Sequence, residues 1–102
     1  MPTVYVTAPP GAAEDIAATL VEERLAACVN SVACESRYRW EGEVQTDEEV
    51  ILLAKTTAEH YPDLRERVVE LHPYDVPCVE RFDEADELGA FGAWRTRSVG
   101  AE

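Results

Sequence analysis

Apolar positions change period repeatedly along the chain, and each change marks an element. Thr3-Val4-Tyr5-Val6-Thr7-Ala8 is a β-branched and aromatic run, which predicts a strand. Pro9-Pro10-Gly11 stops it and reads as a turn. From residue 12 to 27 the period becomes helical. Ala13, Ile16, Ala17, Leu20, Val21 and Leu25 form one stripe, with Glu14, Asp15, Glu22 and Glu23 off it. Cys28 to Trp40 returns to period two, with Cys28, Asn30, Val32, Cys34, Ser36, Tyr38 and Trp40 on one face. Gly42 follows in Trp40-Glu41-Gly42-Glu43, where a hairpin needs a permissive φ. Glu43 to Thr56 is the return strand. Each of these strands runs about thirteen residues against a usual five or six, so they are expected to overrun the sheet and pair with something.

Thr56-x-x-Glu59 has the form of a capping box. Tyr61, Leu64, Val68 and Leu71 then define a second amphipathic helix, which His72-Pro73 ends. Tyr74-Asp75-Val76-Pro77 is a turn, and Cys78 to Phe82 a fourth strand. The segment 84–99 reads as a weaker terminal helix carrying Leu88, Phe91 and Trp94. A β-α-β-β-α-β order is the ferredoxin-like split βαβ unit, an α+β fold. With 102 residues, the expectation is one domain spanning the whole chain. The size predicts a folded surface of about 5,700 Å².

Charge narrows the function classes. Twenty-one carboxylates face nine cations, for a net charge of −12 and a pI near 4.4. Phosphate binding needs clustered cations, so nucleic acid is not an expected partner, nor is an anionic membrane surface. An excess this large repels itself in dilute salt, and at 1 M salt the Debye length falls to about 3 Å. The sequence therefore reads as that of a protein from a salt-rich cytoplasm. The N-terminal residues have neither the basic start nor the apolar stretch of a signal peptide, which also gives a cytoplasmic expectation. Three cysteines without a CxxC pair read as reduced thiols, small and buried, Cys28 above all.

Four stretches carry a family resemblance. They are Leu20-Val21-Glu22-Glu23-Arg24-Leu25-Ala26-Ala27-Cys28-Val29-Asn30, Tyr38-Arg39-Trp40-Glu41-Gly42-Glu43, Leu53-Ala54-Lys55-Thr56 and Glu70-Leu71-His72-Pro73-Tyr74-Asp75-Val76-Pro77. In this order and spacing, the chain resembles the CutA family of divalent-cation tolerance proteins from residue 3 to about 97. The resemblance implies a closed homotrimer joined through the long strands. It also implies a link to copper or other divalent cations, or to a small ligand held between subunits. This chain departs from the bacterial copper site of that family, which resembles a Cys in the first strand with adjacent His residues before Pro-Tyr. Here those positions hold Val6 and Leu71, and only His72 remains. The family's Glu after Val-Pro is Cys78.

Residues for a ligand cleft are Lys55, His72, Tyr74, Tyr38, Trp40 and Glu80. His72 ends a helix, where the dipole favours an imidazolium. Its simpler role is to bond the last helical carbonyls. Lys55 is the one lysine among nine cations, placed to pair a carboxylate in a cleft or to snorkel at the sheet edge. Tyr38 and Trp40 read as interface core. Glu41, Glu43, Asp47, Glu48 and Glu49 read as a solvated acidic hairpin. Cys34 and Cys78 fall on strands at opposite sheet edges. In a closed ring they could meet between chains, and with His72 they would offer soft donors to Cu(I) or Zn.

Two other functions compete with a metal- or ligand-binding trimer. One is a trimeric signalling protein like the PII regulators, although the acidic loops do not suit nucleotide phosphates. The other is an acid–base enzyme using His72, Lys55 and Glu80. The chain has no GxSxG, HExxH or glycine-rich phosphate loop to support it. The charge itself generates a test. Thermal melts in NaCl from dilute to multimolar are expected to move upward, and a flat or falling trend refutes the salt-adapted reading.

Overall fold

The computed structural model describes residues 1–100. Its elements are β1 (Pro2–Ala8), α1 (Pro10–Glu22), β2 (Cys28–Trp40), β3 (Glu43–Lys55), α2 (Tyr61–Leu71), β4 (Val79–Asp83) and α3 (Gly89–Ser98). The strands form one antiparallel sheet in the order β2-β3-β1-β4. This is the ferredoxin-like arrangement. Val4, Val6 and Ala8 of β1 and Leu52 and Ala54 of β3 point to one face and meet Ala13, Ile16 and Leu20 of α1 and Leu64 and Val68 of α2. Period-two alternation sends Tyr5, Thr7, Ile51 and Leu53 to the other face.

The β2–β3 ladder runs from Cys28↔Lys55 to Trp40↔Glu43 without a break. Glu41 (φ 52°) and Gly42 (φ 81°) close it, both in the left-handed region that a two-residue hairpin of matching twist requires. The ladder extends past Ala8, the last residue of β1, and projects from the body. The longest molecular dimension is 45 Å against 26 and 20 Å for the others. The surface of 6219 Å² exceeds the roughly 5,700 Å² expected of a compact chain this size.

Several local expectations are corrected. Pro9-Pro10-Gly11 is not a free turn: Pro9 caps α1 and Pro10 starts it, a position where proline's missing N–H costs nothing. The helix ends at Glu22 rather than running to residue 27. Arg24 turns left-handed (φ 61°), and the amides of Leu25 and Ala26 both return to the Leu20 carbonyl. Thr56 does not cap α2. Its buried hydroxyl donates to the Leu25 carbonyl instead, and His60 is the N-cap residue, held by Thr57. The three thiols are half-exposed in the protomer rather than buried.

The terminal helix departs furthest from its hydrophobic reading. Leu88 and Trp94 are exposed, and the residue it buries is Arg95, 1% exposed. Arg95 donates to the Pro2 carbonyl (3.1 Å), the Thr56 carbonyl (3.4 Å) and Glu84 Oε1 (3.2 Å). Its Nη2 also lies 3.0 Å from Glu87 Oε1, and its guanidinium covers the Phe91 ring. The network continues outward: Lys55 Nζ donates to Thr3 Oγ1 at 3.0 Å, and the Thr3 hydroxyl donates to Glu84. Burial pushes the Glu84 carboxyl up. Bonds from Thr3, its own amide and Arg95 outweigh that and hold it below the usual carboxylate range.

A buried guanidinium with two carboxylates cannot lose one partner cheaply. Arg95→Met is expected to destabilise the protein by about 3–5 kcal/mol, read as a drop in melting temperature. Because Glu84 is lowered, its contribution is present above the ordinary carboxylate range and is lost as pH falls through its folded value. Acid melts of Glu84→Gln are therefore expected to fall less steeply below about pH 4.5 than those of the parent.

Candidate functional site

The face of the sheet that no helix covers gathers most of the residues singled out from the sequence. The register aligns Cys28 and Lys55 with Thr3 and Glu80 with Tyr5, while Cys34 faces Glu49; Cys78 comes just before the last β1–β4 pair, Val6↔Val79. Tyr38 and Trp40 extend the same face onto the projecting hairpin. Val32 and Phe82 on this face are 49% and 50% exposed. Half-buried Tyr5, Ile51 and Leu53 lie between them.

At the hairpin end of this face the loop between α2 and β4 folds over the sheet. His72 sets its position. The residue is 8% exposed, and its Nε2–H donates to the Thr7 carbonyl of β1 at 2.8 Å. Its Nδ1 accepts the Tyr74 amide at 3.2 Å. Together the partners select the neutral Nε2–H tautomer. His72 therefore bonds a neighbouring strand rather than the last carbonyls of its own helix, and ties the loop to it. Its ring packs on Tyr74 with centroids 4.8 Å apart.

Tyr74 is held at its far end as well. Its hydroxyl donates to Glu49 Oε2 at 2.9 Å, and Glu49 is 5% exposed. Glu49 is thus a buried acceptor rather than part of a solvated acidic hairpin. Burial, then the Glu49 carboxylate, push the Tyr74 phenol up to about 12. Tyr38 repeats the arrangement one step along the hairpin, donating to Asp47 Oδ2 at 2.5 Å. Tyr38, Trp40 and Tyr74 line a half-open cavity of about 450 Å³ together with Thr7, Asp75, Val76 and Cys78.

The other candidates stand apart. Lys55 bonds the Thr3 hydroxyl and, among the described residues, pairs with no carboxylate directly. Lys55, Glu80 and His72 meet β1 at Thr3, Tyr5 and Thr7, in steps of about 7 Å, so no base, acid and nucleophile converge. Cys34 lies on edge strand β2, and Cys78 falls just before edge strand β4, which starts at Val79 rather than at Cys78; three strand spacings, about 14 Å, separate the two edges. Cys78 donates to Glu80 Oε1 at 3.6 Å, and burial, then that carboxylate, push its thiol up. Among the described residues, no three His, Cys, Asp or Glu side chains gather to hold a metal ion. Both nitrogens of His72 are engaged, so ligation there would displace a structural bond. Glu49 and Asp75 were not singled out as cleft residues. Glu49 shares the phase of Ile51 and Leu53 at i+2 and i+4, which is the signal that places it on the open face.

A family model for the CutA1 divalent ion tolerance protein matches residues 2–98. The chain belongs to the CutA1 family. The divalent-cation tolerance protein CutA of Thermus thermophilus is 48% identical over 89 residues, 86% of each chain. Its solved structure superposes with a TM-score of 0.92, covering 98% of this chain and all of the other. The Pyrococcus horikoshii CutA is 44% identical over 92 residues, 89% of this chain and 90% of its own. A PII-like CutA from Nostoc, solved in apo form, gives a TM-score of 0.95 at 32% identity over 98% of both chains. The fold of this chain is thus PII-like in structure.

Within this CutA chain the Tyr74–Glu49 bond has a measurable signature. A phenol raised from 10.0 to about 12 contributes stability that is complete below pH 10 and is lost as pH rises toward 12. Alkaline melts of Tyr74→Phe are expected to lose that part of the decline. Ultraviolet titration of the folded variant is expected to lack a tyrosinate step near pH 12.

Proposed function

We propose that this chain is a divalent-cation tolerance protein that works as a non-enzymatic homotrimer in a salt-rich cytoplasm. It binds copper, another divalent cation or a small ligand in clefts between subunits. The observation that carries the assembly is the open sheet face. Val32, Phe82, Ile51 and Leu53 form a continuous apolar surface beside two free strand edges, an unfavourable arrangement for a lone protomer. Docking that face and closing a ring edge to edge removes both costs. The family name supports the metal half of the reading, and the likeness to a PII-like protein supports the ligand half.

The metal half needs two chains. Thiols on opposite edges of one sheet become neighbours when edge β2 of one copy lies beside edge β4 of the next. Cys34 of one chain and Cys78 of another then supply soft donors for Cu(I) or Zn, with His72 as a third if its bond to Thr7 yields. No helix among the described residues is long and apolar enough to cross a membrane, so nothing in this reading calls for one.

Sedimentation in molar salt is expected to give a mass three times the 11.3 kDa of one chain. Leu53→Asp, which puts a charge on the docking face, is expected to reduce it to one. Titration with Cu(I) or Zn is expected to show stoichiometric binding that Cys34→Ser, Cys78→Ser and the monomeric variant each lose. A single-chain mass for the parent overturns the assembly. Equal numbers of ions at equal affinity in all four proteins overturn the metal site.

A further inference from the structure

We propose that the cavity formed by Tyr38, Trp40 and Tyr74 is an aromatic cage for a quaternary ammonium group. The inference rests on the ligand half of the function above and is independent of its metal half. A volume of about 450 Å³ lies in the range of small-molecule sites, and three aromatic side chains supply much of the lining. Such rings attract a cation through the negative potential of their faces.

Charge complementarity decides the class of occupant. Tyr38 and Tyr74 each donate their hydroxyl to a carboxylate, Asp47 and Glu49 respectively. Donation to an anion moves electron density into the phenol ring and deepens the potential over its face. Asp75 adds a third carboxylate in the lining itself, and no Lys or Arg lines the cavity. The hairpin's arginines alternate with the aromatic residues and point to the opposite side of the sheet. Arg37, for example, bonds Glu35 and Thr46 there. An anion is therefore repelled, and a neutral apolar ligand gains nothing from the three carboxylates.

Among cations, the polar groups on offer select further. A bare metal ion needs several donors converging at bonding distance. Among the described residues no three His, Cys, Asp or Glu side chains gather to supply them, and Asp75 is the one carboxylate in the lining. A primary ammonium or guanidinium carries hydrogens that need acceptors, and Asp75 alone is a poor match for three or five of them. A quaternary ammonium has no hydrogens to satisfy and exposes methyl groups to the ring faces. His72 is a positioning residue in this site. It fixes the Tyr74 backbone through Nδ1 and anchors the loop on Thr7.

The test uses tetramethylammonium chloride against the assembled protein, with sodium chloride at matched concentration as the ionic control. Trp40 is the reporter, in a Trp94→Phe background that removes the other of the two tryptophans. A saturable change in Trp40 emission is expected with tetramethylammonium and not with sodium. tert-Butanol, a neutral molecule of similar size, is expected to bind at least about tenfold more weakly, as is expected for Tyr74→Leu. Tyr38→Phe keeps the ring and removes only the bond to Asp47, so a smaller weakening is expected, with trimer mass and melting temperature checked on the same variant. No saturable change, an equal response to tert-butanol, or parental affinity in both variants overturns the cage. Sedimentation and metal titration of the same preparation report separately on the assembly. Loss of tetramethylammonium binding at full trimer mass therefore removes the cage alone.

Discussion

Continuous pairing of β2 with β3, from Cys28↔Lys55 to Trp40↔Glu43, is the interaction on which the surface chemistry of this chain depends. Only the part of that ladder beside β1 lies over the helices. There Leu52 and Ala54 enter the core with Val4 and Val6, and the pairing is backed by apolar burial. Beyond Ala8 the two strands have only each other. A two-stranded ribbon is marginal in water on its own. The projecting half is therefore braced by side chains on the open face: Tyr38 to Asp47, and Tyr74 of a distant loop to Glu49. The same braces that steady the ribbon create the cavity beside it.

This bracing ties the loop after α2 to the hairpin through one histidine. Its position just past the helix C-terminus suggests a helix cap. The backbone there is extended, however, which turns the ring away from the helix and onto the Thr7 carbonyl. A neutral imidazole can donate on one side and accept on the other, and His72 does both. A lysine or arginine could not accept the Tyr74 amide, and an asparagine is too short to span from one strand to the next loop. The residue type follows from the bridging task.

The sequence carried the fold to within a few residues wherever one period dominated. Both long strands, their two-residue turn and the apolar stripe of α2 could be read because each repeats many times. Single substitutions within a period were not legible. Arg95 breaks the apolar pattern of α3, so the pattern pointed to Leu88, Phe91 and Trp94. The true burial is of a guanidinium whose partners, Pro2, Thr56, Glu84 and Glu87, lie far away or before the helix. Thr56 misled for the opposite reason. Its spacing to Glu59 fits a local cap, while a buried carbonyl at Leu25 competes for the same hydroxyl and wins. At the site, Tyr38, Trp40, His72 and Tyr74 stood out by type. Their convergence depends on a loop crossing to a hairpin some thirty residues away, which no local spacing encodes.

The acidity has a local component that a net charge conceals. Glu35 and Glu48 stand directly opposite on β2 and β3, and like charges in that position oppose the pairing. Arg37 answers one of them at 3.1 Å through an exposed pair, which is weak in water. Directly paired side chains sit about 5 Å apart at Cβ, inside the screening length of about 8 Å at physiological ionic strength. Ordinary salt therefore leaves this repulsion largely intact. Only near 1 M, where the screening length falls to about 3 Å, does it drop below the pair separation. The projecting half of the hairpin has no helical backing to offset that repulsion. The site it supports is thus borne by the part of the molecule in which directly opposed like charges have the least apolar burial to offset them.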